Sequence, residues 1–354
     1  MNRRDFLSRS TAAAAAGLLA NTPRTASAAS ASGIKLGLDH FAVRGTDWKA
    51  GEFVDYAASL KLDTLFISEL HIFENFEPDY LADLKAKADA AGLAFYVGTG
   101  CICPTSIRWK DTYGTPEEHL KLTIRTAKAL GSPVARCYLG GAADRASDGG
   151  IDRHIEEVVK VLKACQSFAE TEEIKVAVEN HAGDMQSHEL KGLVEAAGTS
   201  YVGVNIDPGN AVWALEDPMR HLEVLGPHTI CTSVRDSMVW EDENGAVVQW
   251  TAVGEGLLDF AAYAKRFDEL APGVPLQVET ISGFAKPFPY LQHEFWAPYP
   301  NAKAEAFAGF VALSKRGKPI DTFKAPDGQD KKAATAAYQK AEFERSIDWL
   351  RANA

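Results

Sequence analysis

Short apolar runs alternate along the chain with longer segments in which apolar and polar residues recur at helical spacing. Runs rich in β-branched and aromatic residues predict buried strands, and the amphipathic segments between them predict helices. A clear helix start lies at residues 115–116, where Thr115 is a suitable N-cap and Pro116 occupies the first turn. Eight strands are predicted: 34–41, 63–70, 94–100, 134–140, 175–181, 201–207, 229–236 and 275–280.

This alternation bears on the fold class. Eight strand–helix repeats favour a closed parallel barrel, the (β/α)8 TIM barrel, over a doubly wound open sheet, which is the alternative. Residues 29–354 contain no linker rich in Pro, Gly and Ser, so we predict a single domain. The aromatic, irregular stretch that starts at Phe284 predicts a long loop over one barrel face, and residues 333–354 predict a terminal helix.

Residues 1–28 have the pattern of a twin-arginine export signal. Arg3 and Arg4 precede a short apolar run, and Ala26 and Ala28 form an Ala-x-Ala cleavage site. The run is too short for a stable membrane anchor, and no cysteine follows it for lipid attachment. We therefore expect an exported or periplasmic protein without a membrane anchor.

The charge of the chain argues against a nucleic-acid partner. The formal net charge is −11, and removal of four arginines and one aspartate with residues 1–28 would make it −14. An acidic surface repels phosphate backbones, so a small molecule is the expected partner, and a homo-oligomer stays open. The five cysteines are predicted to be core thiols, not a disulfide framework.

Polar side chains stand at the predicted strand ends, where a barrel of this kind gathers its chemistry. Glu179, Asp207 and Glu279 end the fifth, sixth and eighth strands. Three carboxylates that converge on one mouth repel one another unless a cation lies among them. A divalent metal would serve, and oxygen ligands suit Mg²⁺ or Mn²⁺, with Zn²⁺ or Co²⁺ less well matched. The alternative is that each carboxylate pairs with a basic side chain: Arg136, Arg235 or Lys286.

Five blocks in order, "VAVENHAGD", "VGVNIDPGN", "TSVRDS", "WTAVGEGLLDF" and "LQVET", resemble those of the xylose isomerase-like barrel family, the sugar phosphate isomerases and epimerases. The resemblance runs from about Ile34 to the terminal "FERSIDWL". It implies a TIM barrel that holds one divalent metal by Glu, Asp, His and Glu from the last four strands. Glu179, Asp207 and Glu279 match three of these positions, and the resemblance implies that Glu179 and Glu279 also act as acid–base groups.

The fourth position departs from the family. Where the family usually reads His-Val-Lys-Asp, this chain has Ser233, Val234, Arg235 and Asp236. A hydroxyl is a weaker ligand than imidazole, which leaves three readings: carboxylates plus water, help from other side chains, or loss of the metal. The candidate helpers are His181 and Asn210. If the strand continues, Arg235 lies on the same face as Ser233, and its guanidinium would partly replace a cation or bind an anionic substrate group.

Further candidates for the substrate pocket are polar residues at other strand ends: His181, Arg136, Asn210, Arg235, His40 and Glu69. His181 follows Glu179 by two residues and the family often has histidine here, whereas His40 and Glu69 are equally well explained by structural hydrogen bonds.

The leading functional hypothesis is a metal-dependent isomerase or epimerase that moves a proton beside a sugar carbonyl through an ene-diolate. Export favours a free or oxidised sugar over a phosphorylated one. A lyase is the second hypothesis, because loss of a β-leaving group from a keto sugar or keto acid, of the 3-keto-glycoside or 3-dehydroshikimate type, uses the same proton abstraction. A non-catalytic carbohydrate-binding protein with a decayed metal site is the third, and a repair nuclease is the weakest.

Overall fold

The computed structural model describes residues 33–281 and 283–354, so the predicted export segment lies outside the described residues. The predicted apolar runs form strands, because each run is short, β-branched and bounded by turn residues. The strands are β1 Leu36–Asp39, β2 Thr64–Ile67, β3 Ala94–Cys101, β4 Val134–Tyr138, β5 Lys175–Glu179, β6 Val202–Ile206, β7 Thr229–Thr232, β8 Asp236–Asp242, β9 Gly245–Thr251, β10 Leu276–Val278 and β11 Ala285–Phe288.

Eight of these strands form the predicted barrel. The strand order is β10–β1–β2–β3–β4–β5–β6–β7, and all neighbouring strands are parallel. A parallel bridge between Val234, two residues beyond β7, and Val278 of β10 closes the barrel. The (β/α)8 TIM barrel predicted from the sequence is therefore confirmed. Because all strands run the same way, their carboxyl ends share one rim, and the register places Tyr138 beside Glu179 and Glu179 beside Asn205.

Helices surround the barrel. They are α1 Ala50–Ser59, α2 Pro78–Ala90, α3 Pro116–Leu130, α4 Gly150–Glu172, α5 Ser187–Ala197, α6 Pro208–Trp213, α7 Pro218–Leu225, α8 Phe260–Leu270, α9 Ala304–Ser314 and α10 Lys331–Asn353. The Thr115 N-cap is confirmed: its hydroxyl accepts from the Glu118 amide at 3.2 Å, and the Glu118 carboxylate accepts from the Thr115 amide at 2.7 Å. Within the described ranges, no helix is both long and apolar enough to span a bilayer.

The barrel interior is mostly apolar at the amino ends of the strands, where Thr64 and Gln277 are buried polar exceptions, and it is polar at the carboxyl ends. A small cluster of Phe66, Tyr96, Val134, Ala177 and Cys231 fills the lower part. Side chains two residues further along a strand point to the same side, so the interior turns polar one layer higher. That step leads from Val134 to Arg136, from Ala177 to Glu179 and from Cys231 to Ser233. The apolar layer thus supports the polar one from below.

A second, antiparallel sheet of β8, β9 and β11 was not predicted. The predicted strand 229–236 ends at Thr232, and Asp236 already begins the β8–β9 hairpin. The predicted loop after Phe284 begins with β11, because Ala285–Phe288 pairs with the exposed edge of β9. Apolar residues of this sheet, of α6 and the turn after it, of the loop before α9 and of α9 itself form a second core that covers one side of the barrel rim: Val212, Leu215, Val239, Ala246, Val248, Phe288, Tyr299, Phe310 and Leu313.

The five cysteines are buried and unbonded to one another. This confirms the prediction of core thiols. Burial is the main cause that raises the pKa of the Cys165 thiol to about 11 and that of Cys101 to about 12, so these thiols are protonated at neutral pH.

Candidate active site

Three carboxylates meet at the polar rim of the barrel, as predicted. One oxygen from each of Glu179, Asp207 and Glu279 lies within 4.8 Å of the others. They stand at or just beyond the ends of β5, β6 and β10, and Glu279 is the outermost, with 5% of its surface exposed against 0% for the other two. In the part of the chain that the structure describes, this is the one group of His, Cys, Asp and Glu with a spacing suited to a metal ion.

Glu179 is held by a buried arginine and two amides. Arg136 of β4 donates from Nε at 2.6 Å and also from Nη2, and both bonds go to Oε2. Asn205 donates to Oε2 at 3.0 Å and Asn210 to Oε1 at 3.2 Å. Burial is the largest influence on this carboxyl and raises its pKa to about 7, although Arg136 pulls the pKa down. Both oxygens of Glu179 are therefore engaged by protein donors.

The guanidinium of Arg235 lies between the other two carboxylates. Its Nη2 contacts both Asp207 Oδ2 and Glu279 Oε2. Asp207 also caps α6, where its Oδ1 accepts from the Asn210 amide at 3.0 Å and its Oδ2 from the Asn210 side chain at 2.6 Å. Burial raises the pKa of Glu279 well above its usual range, and the charge of Arg235 opposes that rise. Two of the three predicted basic partners are thus paired with the carboxylates.

The third basic candidate, Lys286, has another environment. Its ammonium lies 3.9 Å from the centre of the Trp213 ring, and burial lowers its pKa to about 8, with a smaller contribution from the charge of Arg108. Lys286 is a cation–π partner on the rim and forms no ion pair with the three carboxylates.

Ser233 lies just beyond β7, at the position that the sequence resemblance aligns with a histidine. Its hydroxyl donates to Asp39 Oδ2 at 3.2 Å and accepts from Asn205 at 3.1 Å. Ser233 is therefore committed to other partners and does not complete the carboxylate group.

The arrangement can be tested against a resident divalent ion. The carboxylate spacing suits one, but Arg235 already bridges two of the three carboxylates, and Glu179 is bonded through both oxygens. A guanidinium at that point repels a second cation and uses the same lone pairs. As arranged, the residues do not fit a resident divalent ion. The convergence of the carboxylates is confirmed, while the ion and its identity stay predictions of the sequence.

His181 is half-buried beside the site and does not join the carboxylate group. Its ring stacks on Tyr138 with 3.8 Å between centroids, and its Nδ1 lies 2.6 Å from the Gly140 carbonyl. Burial lowers the pKa of His181 well below its usual range, so the ring is neutral. A carbonyl only accepts, so Nδ1 carries the proton and Nε2 keeps its lone pair.

His40 and Glu69 differ in their surroundings. His40 accepts the Ser68 amide at Nδ1 over 3.1 Å, which is a structural role, and it lines a small cavity of about 190 Å³. Glu69 lines a larger cavity of about 390 Å³ at the rim, and burial raises its pKa. Tyr138 lines this larger cavity, and its ring centre lies 5.1 Å from the guanidinium of Arg136, the partner of Glu179. The walls of the larger cavity, here called the rim cavity, include Glu69, His71, Thr99, Arg108, Lys110 and Tyr138.

Two asparagines that the sequence reasoning missed hold the site together. Asn205 bonds both Glu179 and Ser233, and Asn180 pairs with the backbone of Asp207, donating to its carbonyl at 2.8 Å and accepting from its amide at 2.9 Å. Asn205 could have been found, because it precedes Asp207 by two residues and so shares its strand face. Asn180 follows the strand and carried no such signal.

TIM-barrel enzymes carry their active sites at the carboxyl rim, which is where acidic and basic side chains meet in this chain. The xylose isomerase-like TIM barrel family profile matches residues 54–294, and the chain belongs to this family. This bears out the resemblance noted in the sequence.

One characterised relative is distant. The chain is 22% identical over 191 residues to a 3-oxo-isoapionate decarboxylase from Pectobacterium atrosepticum, a match that covers 53% of this chain and 62% of that protein, less than two thirds of its length.

Solved structures share the fold. A D-psicose 3-epimerase determined in the presence of D-fructose superposes with a TM-score of 0.59 at 13% identity, covering 90% of this chain and 98% of that one. A xylose isomerase domain protein from Planctomyces limnophilus gives 0.55 at 20% identity, covering 70% and 90%. At these identities the likeness establishes the barrel and leaves the reaction to be argued from the site.

Proposed function

We propose that the protein is an isomerase or epimerase that moves a proton on the carbon beside the carbonyl of a free or oxidised sugar. The observation that carries the proposal is the contact of Arg235 with both Glu279 and Asp207 at the rim. This contact places a carboxylate, which would take a proton, beside a guanidinium, which would stabilise an oxyanion. The family membership and the epimerase among the structural neighbours support the same class of chemistry.

Glu279 is the proposed base. It is the outermost of the three carboxylates, and its raised pKa brings it toward the range in which a carboxyl both accepts and returns a proton. Glu179 is the weaker candidate, because Arg136 and two asparagines engage both of its oxygens. Glu179 is instead proposed as a positioning residue that orients Arg136, Asn205 and Asn210.

An epimerase needs a second proton-transfer group on the other face of the carbon. Glu69 is the proposed second group, because it lines the rim cavity and burial raises its pKa. A cavity of about 390 Å³ lies within the usual range for small-molecule sites, roughly 300–1,000 Å³. Arg108 and Lys110 on its wall would interact with hydroxyl or carboxylate oxygens of the substrate.

A lyase is the second candidate, and the decarboxylase relative favours it. Loss of carbon dioxide, or of a β-leaving group, beside a carbonyl places the same negative charge on the same oxygen, so the site chemistry is shared. Only the fate of the neighbouring bond differs.

The experiment that tests the proposal uses the mature protein with a panel of free and 3-keto sugars in D₂O, followed by proton NMR. We expect one substrate to exchange the hydrogen beside its carbonyl and to yield an isomer with the same number of carbons. Release of carbon dioxide or of an eliminated group would assign the lyase instead. Full turnover without deuterium in substrate or product would overturn the proton-transfer mechanism.

A further inference from the structure

Arg235 lies where a metal-dependent enzyme of this architecture would need its cation. Its side chain is 2% exposed, and Nη2 bridges Asp207 and Glu279, two of the three carboxylates with metal-ligand spacing. With Arg136 on Glu179, two guanidinium charges face three carboxylates. That is the same positive charge that one divalent ion would bring.

The fold holds Arg235 in this position through contacts from two other elements. The indole ring of Trp250, on β9, lies beneath the guanidinium, with 4.4 Å from Cζ to the ring. The indole N–H donates to the Gly209 carbonyl at 2.8 Å, which fixes the ring. A side chain at position 209 would place its Cβ 2.2 Å from Arg235 Cγ, so glycine leaves the space that the arginine stem occupies. The arginine is thus built into the site.

We infer that Arg235 takes the place of the divalent metal ion, so that this member of the family binds and turns over its substrate without one. The catalytic part of this inference rests on the proposed function. Glu279 takes the proton from the carbon beside the carbonyl, the electrons of that C–H bond form the new carbon–carbon double bond, and the carbonyl π electrons move to oxygen. Arg235 stabilises the oxyanion. As the carbonyl re-forms, the Glu69 carboxyl delivers a proton to the opposite face of the same carbon, and exchange with water resets both carboxyl groups, so no oxidant or co-reactant is required.

An arginine in place of the metal would explain why position 233 carries no histidine. A guanidinium needs acceptors and has no use for an imidazole ligand, so the position of Ser233 is free to bond Asp39 and Asn205. We therefore interpret serine at position 233 and the buried arginine at position 235 as two parts of one change, in which a guanidinium replaces a metal ion.

Metal binding tests the inference without any substrate. Mature wild-type protein, treated with EDTA and dialysed, is titrated with MnCl₂ and followed by electron paramagnetic resonance of free Mn²⁺ and by calorimetry. We expect no stoichiometric binding below millimolar Mn²⁺. In Arg235→Ala the carboxylates of Asp207 and Glu279 lose their guanidinium partner, and we expect one Mn²⁺ per chain with at least 100-fold tighter binding than in the wild type.

Three controls separate the charge from the rest of the side chain. Arg235→Lys keeps a cation and should gain no site. Arg145→Ala removes another buried arginine, paired with Glu189 away from the cluster, and should also gain none. Gly209→Ala displaces the arginine stem without removing its charge, and Mn²⁺ binding there should lie between the wild type and Arg235→Ala.

One Mn²⁺ bound to the wild type in the micromolar range would overturn the inference, and this arm decides the matter even if Arg235→Ala does not fold. A folded Arg235→Ala that binds no more tightly than the wild type would also overturn it. The failure of every sugar to exchange deuterium would count against the proposed function and leave the metal result standing.

Discussion

Removal of Arg136 should destabilise the protein more than removal of any surface arginine. In Arg136→Leu, Glu179 stays buried and loses the two bonds from the guanidinium. The Thr99 carbonyl, which accepts from Nη1 at 2.8 Å, loses its bond as well. Breaking a buried ion pair by removing one partner costs about 3–5 kcal/mol, and an orphaned buried acceptor adds about 1 kcal/mol or more. We expect a loss of about 4–6 kcal/mol in the free energy of unfolding.

The double variant Arg136→Leu/Glu179→Gln isolates the charge. It removes the buried carboxylate while Asn205 and Asn210 still have an amide to contact, so we expect it to recover about 2–3 kcal/mol relative to the single variant. The matched control is Arg266→Leu, which breaks an exposed pair with Glu223 and should cost less than about 1 kcal/mol.

Equilibrium unfolding in urea measures these differences, and pH adds a sign test. Glu179 has a pKa of about 7 in the folded wild type, above its unfolded value near 4.5, so its contribution favours folding at low pH and is lost as the pH rises. Loss of Arg136 raises the pKa further. The gap between the single and the double variant should therefore widen from pH 5 to pH 8. A loss below about 1 kcal/mol in Arg136→Leu, or a double variant no more stable than the single one, would refute this reasoning.

Substitutions at three further positions, 279, 216 and 233, have defined outcomes. Glu279→Gln should lower the turnover rate by roughly 10²–10⁴-fold while the protein stays folded, as measured by deuterium exchange and circular dichroism, and a change below fivefold would exclude it as the base. Glu216 is buried and bonded to Ser187, and burial is the main cause that raises its pKa to about 7. The free energy of unfolding of the wild type should therefore fall between pH 5 and pH 7, and Glu216→Gln should reduce that fall by up to about 3 kcal/mol in urea unfolding. An unchanged pH dependence would contradict this assignment. Ser233→His alone should gain no metal site, whereas Ser233→His/Arg235→Ala should bind Zn²⁺ more tightly than Arg235→Ala, and equal affinities would show that position 233 does not face the carboxylates.

The fold was predictable from the sequence to the extent that it is local. Each barrel strand is an apolar run with its own boundaries, and the Thr115 cap needs only the next three residues. The β8–β9 hairpin carried a local signal that was overlooked: Asn244 and Gly245 form a typical tight-turn pair between two runs of apolar and polar residues. β11 had no such signal, since its pairing with β9 depends on an edge supplied from forty residues away.

The candidate site was predictable in its members and less so in its contacts. Glu179, Asp207 and Glu279 could be predicted as site residues because they stand at strand ends and a parallel barrel brings all carboxyl ends to one rim. The choice between a metal ion and an arginine depends on where the Arg235 side chain turns. That direction is set by Trp250 from the unpredicted sheet and by the space at Gly209, so no local pattern contains it.

We propose that Glu279 takes a proton from the carbon beside a carbonyl and that Arg235 stabilises the oxyanion, in a site that has no resident metal. The most direct measurement is the rate at which the purified protein incorporates solvent deuterium into the sugar that it turns over, before and after exhaustive treatment with EDTA. We predict rates that agree within about twofold, deuterium on the carbon beside the carbonyl, and a rate at least 100-fold lower in Glu279→Gln. Loss of exchange after chelation, restored by Mn²⁺ or Zn²⁺, would contradict the account.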